Sequence, residues 1–386
     1  MRKKLLLTIN SLRSGGAERV VSQLLTHLQD DFDIHLALYN KVIEYEIPKD
    51  IKIIDLKQSE ADNQFLTLLK LPLLSYRLSR YCKKNDIVHS VAFLNRPCYI
   101  NALMRKWWGY KGRIVMCERT HQSTMLQTRG RLTRWITKFL VKFSYNRADL
   151  VLANSKAMKI DIEKYLEVKT PVRVIYNPVD LVELKTKMNE PVPYEFDPGV
   201  FYFISVGNFR KEKNYPLLLE AFATMKKDNC KLLLIGGGYM EDVLRKRVEE
   251  LGLRQSVVFC GKDSNPFKYL KHAQCFVMCS DVEGFPNVLL EAIACGKAAV
   301  STDCKSGPRE LLAPHTDIAY QLTDKYSIEE FGLLSPVNNP VMLGKAMLRL
   351  MENPALRKVL EEKSEARAVH FDINHIRQHF VSAFEG

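Results

Sequence analysis

The stretch CFVMCSDVEGFPNVLLEAIACGKAAVS, residues 275–301, decides the fold class of this 386-residue chain. An apolar run at 275–279 is followed by a polar loop, a largely apolar helical segment at 287–294 and a second apolar run at 298–301. Two short apolar runs joined by a helix are typical of a βαβ unit, in which both strands are buried and run parallel. The stretch therefore predicts an α/β fold built on a parallel sheet.

The same alternation extends outward in both directions. Further apolar runs predict strands at 4–10, 33–38, 51–56, 87–91, 114–117, 150–153 and 172–176, and again at 200–206, 231–235 and 257–260. Helical patterns cover 17–28, 65–84, 131–147, 155–166, 215–227, 240–250 and 266–273, and the tail after Pro340 is helical with a break near 370–372. Residues 183–199 are rich in Pro, Gly and charge and read as a linker. We therefore expect two doubly wound, Rossmann-like domains, which bind ligands at the carboxyl ends of their strands.

The positive charge is confined to one half of the chain. The formal net charge is +13, with 33 basic and 19 acidic residues in 1–190 against 24 and 25 in the remainder. The overall composition, 46% hydrophobic and 26% charged, is that of a globular protein. A positive surface attracts the phosphates of nucleic acid, anionic lipid or a nucleotide-like ligand. The first half is therefore expected to face such a partner.

Cysteine usage and the lack of long apolar runs bear on the compartment. The nine cysteines form no CxxC pair and no cluster with His at metal-ligand spacing, which favours a reducing compartment. The first apolar run ends after Ile9 without a small-residue cleavage site, and no segment approaches the ~20 apolar residues of a membrane span. We expect a cytoplasmic protein without a transmembrane anchor.

Three glycine-containing loops follow predicted strands. Gly15-Gly16 opens the first helix, and Gly236-Gly237-Gly238 follows the strand at 231–235. Glycine lets a backbone approach a ligand, and a helix N-terminus offers N–H groups to a phosphate. Plain tight turns explain both loops equally well.

The third loop, from Gly207 to Asn214, adds two cations. Arg210 and Lys213 project from it at the carboxyl end of a strand, where they can grip a diphosphate. A solvated basic loop is the alternative interpretation.

Two carboxylates frame the loop and helix of the opening stretch. Glu283 lies in the loop and Glu291 lies eight positions later, inside a helix that is otherwise largely apolar. A Glu within a buried helix needs a partner. Two carboxylates at this spacing can accept hydrogen bonds from separate hydroxyl groups, such as those of a sugar and a ribose. The alternative is that both only tune local electrostatics.

These motifs together resemble the family 4 retaining glycosyltransferases of the GT-B fold. The resemblance rests on EGFPNVLLEAIACGKAAVSTD from Glu283, on the loops at Gly15 and Gly207, and on the segments at 153–155 and 176–180, all in the family's order. It implies two Rossmann-like domains facing each other across a cleft. An acceptor-binding domain would span 1–182 with a returning helix at 371–386. The linker would be 183–199, and a donor-binding domain would span 200–370.

The resemblance also implies residue roles in donor binding. Lys213 would bind the donor diphosphate, aided by Arg210, because Asn208 stands where the family usually has Arg. Glu291 would hold the ribose hydroxyls. Glu283 would be a catalytic residue that holds the donor sugar hydroxyls near the reacting carbon. The remaining donor contacts would be Gly16, Gly237 and the backbone amides of Phe285 to Asn287.

The place of His121 resembles that of a family histidine near the donor sugar, which makes His121 the second candidate catalytic residue, although a lone His is more often structural. By the same resemblance the anomeric configuration is retained, with an acceptor hydroxyl attacking on the face from which the nucleotide diphosphate departs. No Asp-x-Asp stands at a metal-binding strand end, so we expect neither a cofactor nor a divalent metal, with a UDP-sugar as donor.

Cations in the first half are interleaved with aromatic and Leu residues, as on proteins that lie on an anionic bilayer. The candidate acceptor and membrane residues are Arg77, Arg80, Lys84, Trp107, Trp108, Arg131 and Arg134. A basic but unoccupied face is the alternative.

Basic family members commonly extend lipid-linked glycans of bacterial surface polysaccharides. The segment at 306–310 resembles N-acetylhexosamine transferases acting on polyprenyl-diphosphate glycans. The expected partners are a nucleotide sugar, a lipid-linked glycan and the anionic inner face of the cell membrane. Two other functions stay open, a UDP-sugar epimerase of similar fold and a basic nucleic-acid-binding protein. We expect no nucleic-acid partner, since no nucleic-acid module is recognisable.

Overall fold

The computed structural model describes residues 2–13, 15–58, 64–127 and 129–386, with only the backbone of residues 64 and 65. The chain divides into two compact units. Unit 1 comprises Met1–Pro178 and Ile373–Gly386, and unit 2 comprises Val179–Asp372. The first boundary follows the Asn177-Pro178 pair, which lies just beyond the strand segment Val172–Val174.

Unit 1 is built on a seven-stranded sheet. Its strands are β1 (Lys3–Ile9), β2 (Phe32–Leu38), β3 (Lys52–Asp55), β4 (His89–Phe93), β5 (Arg113–Glu118), β6 (Leu150–Ala153) and β7 (Val172–Val174). All pair in parallel in the order β3-β2-β1-β4-β5-β6-β7. The chain winds outward from β1 in one direction and from β4 in the other, so the topological switch point lies between these two strands.

Helices cover both faces of this sheet. They are α1 (Gly16–His27), α2 (Gln64–Lys84), α3 (Asn95–Trp108), α4 (Gln122–Gln127), α5 (Arg131–Tyr145) and α6 (Lys156–Ile160), to which the C-terminal helix Ile373–Glu385 is added. Leu6 packs into the core under α2, α3 and α5, whereas Leu5 and Leu7 pack into the core under α1 and the C-terminal helix. Burial on both faces explains why β1 is a continuous apolar run.

Unit 2 repeats the plan with a second seven-stranded sheet. Its strands are β8 (Phe201–Val206), β9 (Cys230–Ile235), β10 (Val257–Gly261), β11 (Cys275–Met278), β12 (Ala298–Thr302), β13 (Ser327–Glu329) and β14 (Gly332–Ser335). The order is β10-β9-β8-β11-β12-β14-β13, parallel except for the β13–β14 pair. Its switch point therefore lies between β8 and β11. The prediction of two doubly wound α/β units is confirmed.

The helices of unit 2 are α7 (Leu181–Lys187), α8 (Tyr215–Met225), α9 (Glu241–Glu250), α10 (Phe267–Leu270), α11 (Asn287–Ala294), α12 (Pro308–Leu312), α13 (Pro340–Glu352) and α14 (Pro354–Val369), and the helix Ile373–Glu385 of unit 1 is α15. The segment predicted as a linker, 183–199, begins inside α7 and belongs to unit 2. Asp180 caps α7 by accepting hydrogen bonds from the N–H groups of Val182 and Glu183 at 3.0 and 2.8 Å. This N-cap fixes a helix where Pro and Gly content predicted irregular chain.

All nine cysteines are free thiols, and eight of them are buried. Among the described residues, no helix combines the length and apolar character that crossing a bilayer requires.

Candidate active site

The residues of unit 2 that are predicted to bind the diphosphate and the sugar lie close together at the switch point of its sheet. Lys213 ends a short 3-10 turn, Lys211–Lys213, in the loop after β8, and Glu283 lies in the loop after the neighbouring strand β11. The Lys213 ammonium donates to Glu283 Oε1 at 2.6 Å. Because both loops leave the carboxyl ends of adjacent parallel strands, the fold brings together two residues that are 70 positions apart.

This ion pair is largely shielded from water. The Glu283 side chain is 10% exposed and that of Lys213 is 27% exposed. Burial lowers the pKa of the Lys213 ammonium, but attraction to Glu283 and the hydrogen bond between them outweigh burial, and the net pKa is raised. Lys213 is therefore a cation at neutral pH. The Arg210 guanidinium lies three residues earlier and is exposed.

Three further bonds join the same two loops. The Cys279 thiol donates to the Lys213 carbonyl at 3.0 Å, and the Asp281 N–H donates to the Glu212 carbonyl at 2.9 Å. The Asn214 amide donates to Asp281 Oδ1 at 2.8 Å, and burial raises the pKa of Asp281 despite this bond. Neither Asn214 nor Asp281 is among the predicted site residues. Both hold the backbone that carries Lys213 and Glu283.

The three consecutive glycines follow β9 and lie against the β8 loop. A Cβ on Gly236 would stand 1.9 Å from the Gly207 carbonyl oxygen, and one on Gly238 would stand 2.7 Å from the Phe209 carbonyl oxygen. Gly236 and Gly238 are therefore required by close approach of two backbones. A Cβ on Gly237, the predicted donor contact, would instead meet the Lys262 side chain at 3.2 Å.

Helix α11 begins at Asn287, and the preceding Pro286 makes no side-chain cap hydrogen bond to it. The Phe285 ring is buried and packs on Phe371 at 5.5 Å, which leaves the backbone of Phe285 as its means of contacting a ligand. Glu291 is half-buried on α11, whereas its apolar neighbours are buried. Glu291 therefore lies on the less buried side of a largely apolar helix.

The predicted residues of unit 1 lie at the carboxyl ends of β1 and β5. Gly16 is the first residue of α1. The Glu18 carboxylate folds back over the preceding Gly15, since a Cβ there would be 2.3 Å from Glu18 Oε2. The Tyr45 hydroxyl donates to the Gly15 carbonyl at 3.2 Å. Gly15 thus makes room for the carboxylate in the first helical turn, as well as opening the loop.

His121 follows β5 and is 7% exposed. The loop that carries it is held by Glu118, a buried carboxylate that accepts four hydrogen bonds. These come from the N–H groups of Arg119 and Thr120 at 2.8 and 3.0 Å, the Gln122 amide at 2.8 Å and the Tyr145 hydroxyl at 2.8 Å. Burial raises the pKa of Glu118, and these bonds oppose the rise. Sequence reasoning missed Glu118, since its partners converge only in the folded chain.

The predicted acceptor and membrane residues do not form one cluster. Arg77, Arg80 and Lys84 are exposed in the last turns of α2, and Trp107 and Trp108 are exposed at the end of α3. These helix ends lead into β4 and β5, so they lie toward the edge where the strands begin. The site loops lie at the opposite edge.

Arg131 and Arg134 begin α5, toward the edge that carries His121. Arg131 is exposed. The Arg134 guanidinium donates to the carbonyls of Leu126, Gln127 and Arg129 at 3.0, 3.0 and 3.3 Å. Arg134 therefore caps the end of α4, and its charge is engaged there.

Within the described residues, no group of three or more His, Cys, Asp and Glu side chains is arranged to hold a metal ion.

Both halves of the chain match models of known protein families. Residues 14–183 match the family model "Glycosyltransferase Family 4", and residues 187–367 match "Glycosyl transferases group 1". A Campylobacter jejuni protein is 37% identical over 372 residues, covering 96% of each chain. It is named N-acetylgalactosamine-N,N'-diacetylbacillosaminyl-diphospho-undecaprenol 4-alpha-N-acetylgalactosaminyltransferase.

Solved structures share the fold at low sequence identity. Sucrose-phosphate synthase from Thermosynechococcus elongatus superposes with a TM-score of 0.82 at 18% identity, covering 100% of this chain and 98% of that one. Anabaena HepE in complex with UDP-glucose superposes with a TM-score of 0.77 at 18% identity, covering 99% of both chains. Together with the family models and the Campylobacter relative, these likenesses show that the chain belongs to the family 4 glycosyltransferases of the GT-B fold.

Proposed function

We propose that the chain is a retaining transferase that moves an N-acetylhexosamine from a UDP-sugar to a polyprenyl-diphosphate-linked glycan of a bacterial surface polysaccharide. The ion pair of Lys213 and Glu283 carries this proposal. It sets a cation suited to a diphosphate beside a carboxylate suited to sugar hydroxyls, at the switch point where such folds bind ligands.

The donor site would use both partners of that pair. Lys213 and Arg210 would bind the diphosphate, and the positive end of the α11 helix dipole would lie toward the same negative charge. Glu283 would accept hydrogen bonds from the sugar and Glu291 from the ribose, while Gly16 and Gly237 leave room for the backbone to approach. The HepE complex with UDP-glucose is compatible with this donor class.

In the proposed reaction, the acceptor hydroxyl oxygen bonds to the anomeric carbon as the bond from that carbon to the diphosphate oxygen breaks. The hydroxyl proton passes to the departing diphosphate on the same face. Lys213 and Arg210 stabilise the charge that develops on this leaving group, and Lys213, held by Glu283 in a shielded position, needs little reorganisation to do so. His121 contacts the donor sugar. An α linkage, as in the name of the Campylobacter relative, is the outcome of retention from an α-linked UDP-sugar.

An enzyme with a lipid-linked acceptor needs a surface that can contact a bilayer, and unit 1 has a surface of that kind. Unit 1 contains 32 basic and 17 acidic residues, against 25 and 27 in unit 2. Exposed aromatic side chains cross three neighbouring helices on one face of its sheet. The Tyr76 and Trp108 rings are 4.9 Å apart on α2 and α3, and the Trp135 and Phe139 rings are 6.0 Å apart on α5.

Contacts between α3 and α5 extend the aromatic rings of α5. The Lys106 ammonium of α3 lies 4.9 Å above the Phe143 ring of α5, and Phe143 lies 6.2 Å from Phe139. Trp135 is 67% exposed and Phe139 is 54% exposed, which is unusual for side chains that gain so much from burial. Cations interleaved with such rings suit an anionic bilayer, so we place the enzyme at the cytoplasmic face of the cell membrane.

The decisive experiment incubates the purified full chain with a panel of UDP-sugars and a short polyprenyl-diphosphate glycan, and reads products by mass spectrometry. UDP-N-acetylhexosamines are expected to extend the lipid-linked glycan, with full activity in EDTA because Lys213 and Arg210 supply the charge a metal would otherwise supply. Lys213→Ala and Glu283→Ala are expected to abolish transfer. Lys211→Ala, an exposed residue of the same turn, is the matched control and is expected to keep it.

Modification of free sugars or proteins in place of the lipid-linked glycan would refute the acceptor assignment. Loss of activity in EDTA would refute metal-independent transfer. Full activity in both site variants would refute the donor site.

A further inference from the structure

His121 faces a buried carboxylate that the sequence motifs do not single out. Asp161 Oδ2 lies 3.7 Å from His121 Nδ1, and the Asp161 side chain is 3% exposed. The hydroxyl oxygens of Ser123 and Thr124 lie 3.2 and 3.1 Å from the same ring nitrogen. Nδ1 of the imidazole therefore faces three oxygen atoms, one of which belongs to a buried carboxyl group.

The fold places Asp161 there by a specific local route. Strand β6 ends at Ala153, and Ser155 caps α6 by accepting the Met158 N–H at 3.0 Å. Helix α6 then widens into a single π-turn, Asp161–Tyr165, closed by a hydrogen bond from the Leu166 N–H to the Asp161 carbonyl at 3.1 Å. π-Turns within helices occur frequently at functional sites. Asp161 is the first residue of this turn, and its carboxylate lies against the loop after β5.

We propose that Asp161 is the positioning residue of His121. The inference rests on the proposed contact of His121 with the donor sugar. A carboxylate beside Nδ1 favours the tautomer with the proton on Nδ1, which leaves Nε2 as a hydrogen-bond acceptor for a hydroxyl group. It also fixes the ring plane, since three oxygen atoms converge on one edge of the ring. Asp161 acts on the reaction only through His121.

Asp161 also has a structural role, which one substitution separates from its effect on His121. Asp161 Oδ2 also accepts the Ser123 N–H at 3.1 Å, in the first turn of α4, and so satisfies a helix N-terminus. Asn at position 161 keeps an oxygen acceptor for that N–H but removes the charge. The substitution Asp161→Asn therefore separates the cap from the electrostatic effect on His121.

The test is a double-mutant cycle on the full chain, with Asp161→Asn, His121→Ala and the double variant assayed over a range of donor and acceptor concentrations that reaches saturation. Asp161→Asn is expected to lower kcat about tenfold, because the carboxylate charge next to Nδ1 of His121 is lost, and to leave both KM values within about twofold. In the His121→Ala background it is expected to change nothing further. Glu163→Gln removes an exposed carboxylate from the same π-turn and is expected to behave as the wild type.

A second measurement needs no substitution in Asp161. Nitrogen NMR of histidine-labelled protein, with His121 assigned from the His121→Ala spectrum, is expected to show the proton on Nδ1 at neutral pH. A proton on Nε2 alone would overturn the inference. So would an equal loss of kcat from Asp161→Asn in both backgrounds. Wild-type kcat in His121→Ala would instead refute the role of His121 in the proposed function.

Discussion

Substitutions of Lys213 and Glu283, the two partners of one ion pair, are expected to have different effects on the affinity for UDP. UDP carries the diphosphate but no donor sugar, so it should need Lys213 and not Glu283. Lys213→Gln is expected to weaken UDP binding about tenfold or more, because a charge-assisted contact to phosphate is lost. Glu283→Gln is expected to bind UDP as tightly as the wild type or a few-fold tighter, since it removes a negative charge 2.6 Å from Lys213.

Isothermal titration of the full chain with UDP measures both effects. The matched control is Lys211→Gln, an exposed position in the same turn. Glu283→Gln should combine tight UDP binding with lost sugar transfer. Weakened UDP binding in Glu283→Gln would assign that carboxylate to the diphosphate site and not to the sugar.

Single residues show where sequence reasoning stops. The motifs identify Lys213 and Glu283 because cations and carboxylates at strand ends have a chemical meaning along the chain. They do not identify Asp161 or Glu118, whose significance depends on which side chains face them in three dimensions. The glycines after β9 show a different limit. Gly236 is explained by the closeness of the loop after β8, because a Cβ at Gly236 would stand 1.9 Å from the Gly207 carbonyl oxygen, a contact that a linear pattern does not display.

At the scale of the element, strand β2 predicts how stability depends on pH. His35 is 1% exposed and its Nδ1 is 2.8 Å from the Tyr81 hydroxyl oxygen. Burial lowers the pKa of His35, Lys52 and Lys4 lower it further, and Asp33 opposes them. The pKa of His35 in the folded state lies below its unfolded value of 6.5. Between these two pKa values the unfolded state therefore binds more protons than the folded state. The stabilisation is fully present above pH 6.5 and is lost as the pH falls through the folded value.

Urea unfolding over a pH series below neutrality checks this. His35→Gln is expected to flatten the fall in unfolding free energy, by at most about 1.4 kcal/mol per pH unit, the contribution of one proton. The slope should not vanish, because His89 and His272 also have lowered pKa values for the same reason of burial. His315→Gln is the control, since its side chain is 82% exposed. An unchanged slope in His35→Gln would contradict the prediction.

Elements differ in how far the sequence reveals them. The pattern predicts β1, β8 and β11 closely because strands buried on both faces are unbroken apolar runs. It does not predict α3, since Pro97 interrupts the segment, yet Pro is tolerated in a first helical turn where its missing N–H would be unpaired anyway. It also does not predict β14, four residues long, whose place is fixed by pairing with β12.

At the scale of the whole molecule, charge and exposed apolar surface coincide in unit 1. The sequence predicts the excess of positive charge, which needs only counting. It does not predict which aromatic residues stay exposed, because an amphipathic helix such as α5 reads the same whether its apolar face meets a core or a bilayer. The structure leaves Trp135 and Phe139 uncovered within the described residues of unit 1. The side chains to test for membrane binding are therefore chosen by their exposure in the structure and not from the composition of the chain.

Vesicle sedimentation of the full chain tests the membrane surface. Vesicles rich in phosphatidylglycerol are expected to bind the protein at low salt and release much of it at high salt, because screening shortens the reach of exposed cations. Replacing Trp135 and Phe139 by Ser is expected to weaken binding about tenfold or more, through lost burial of apolar area in the bilayer. The control replaces Val341 and Val359, exposed apolar residues of unit 2, by Ser, and should bind as the wild type. Equal binding by all three proteins, or equal binding to uncharged vesicles, would show that the aromatic face of α5 does not meet an anionic bilayer.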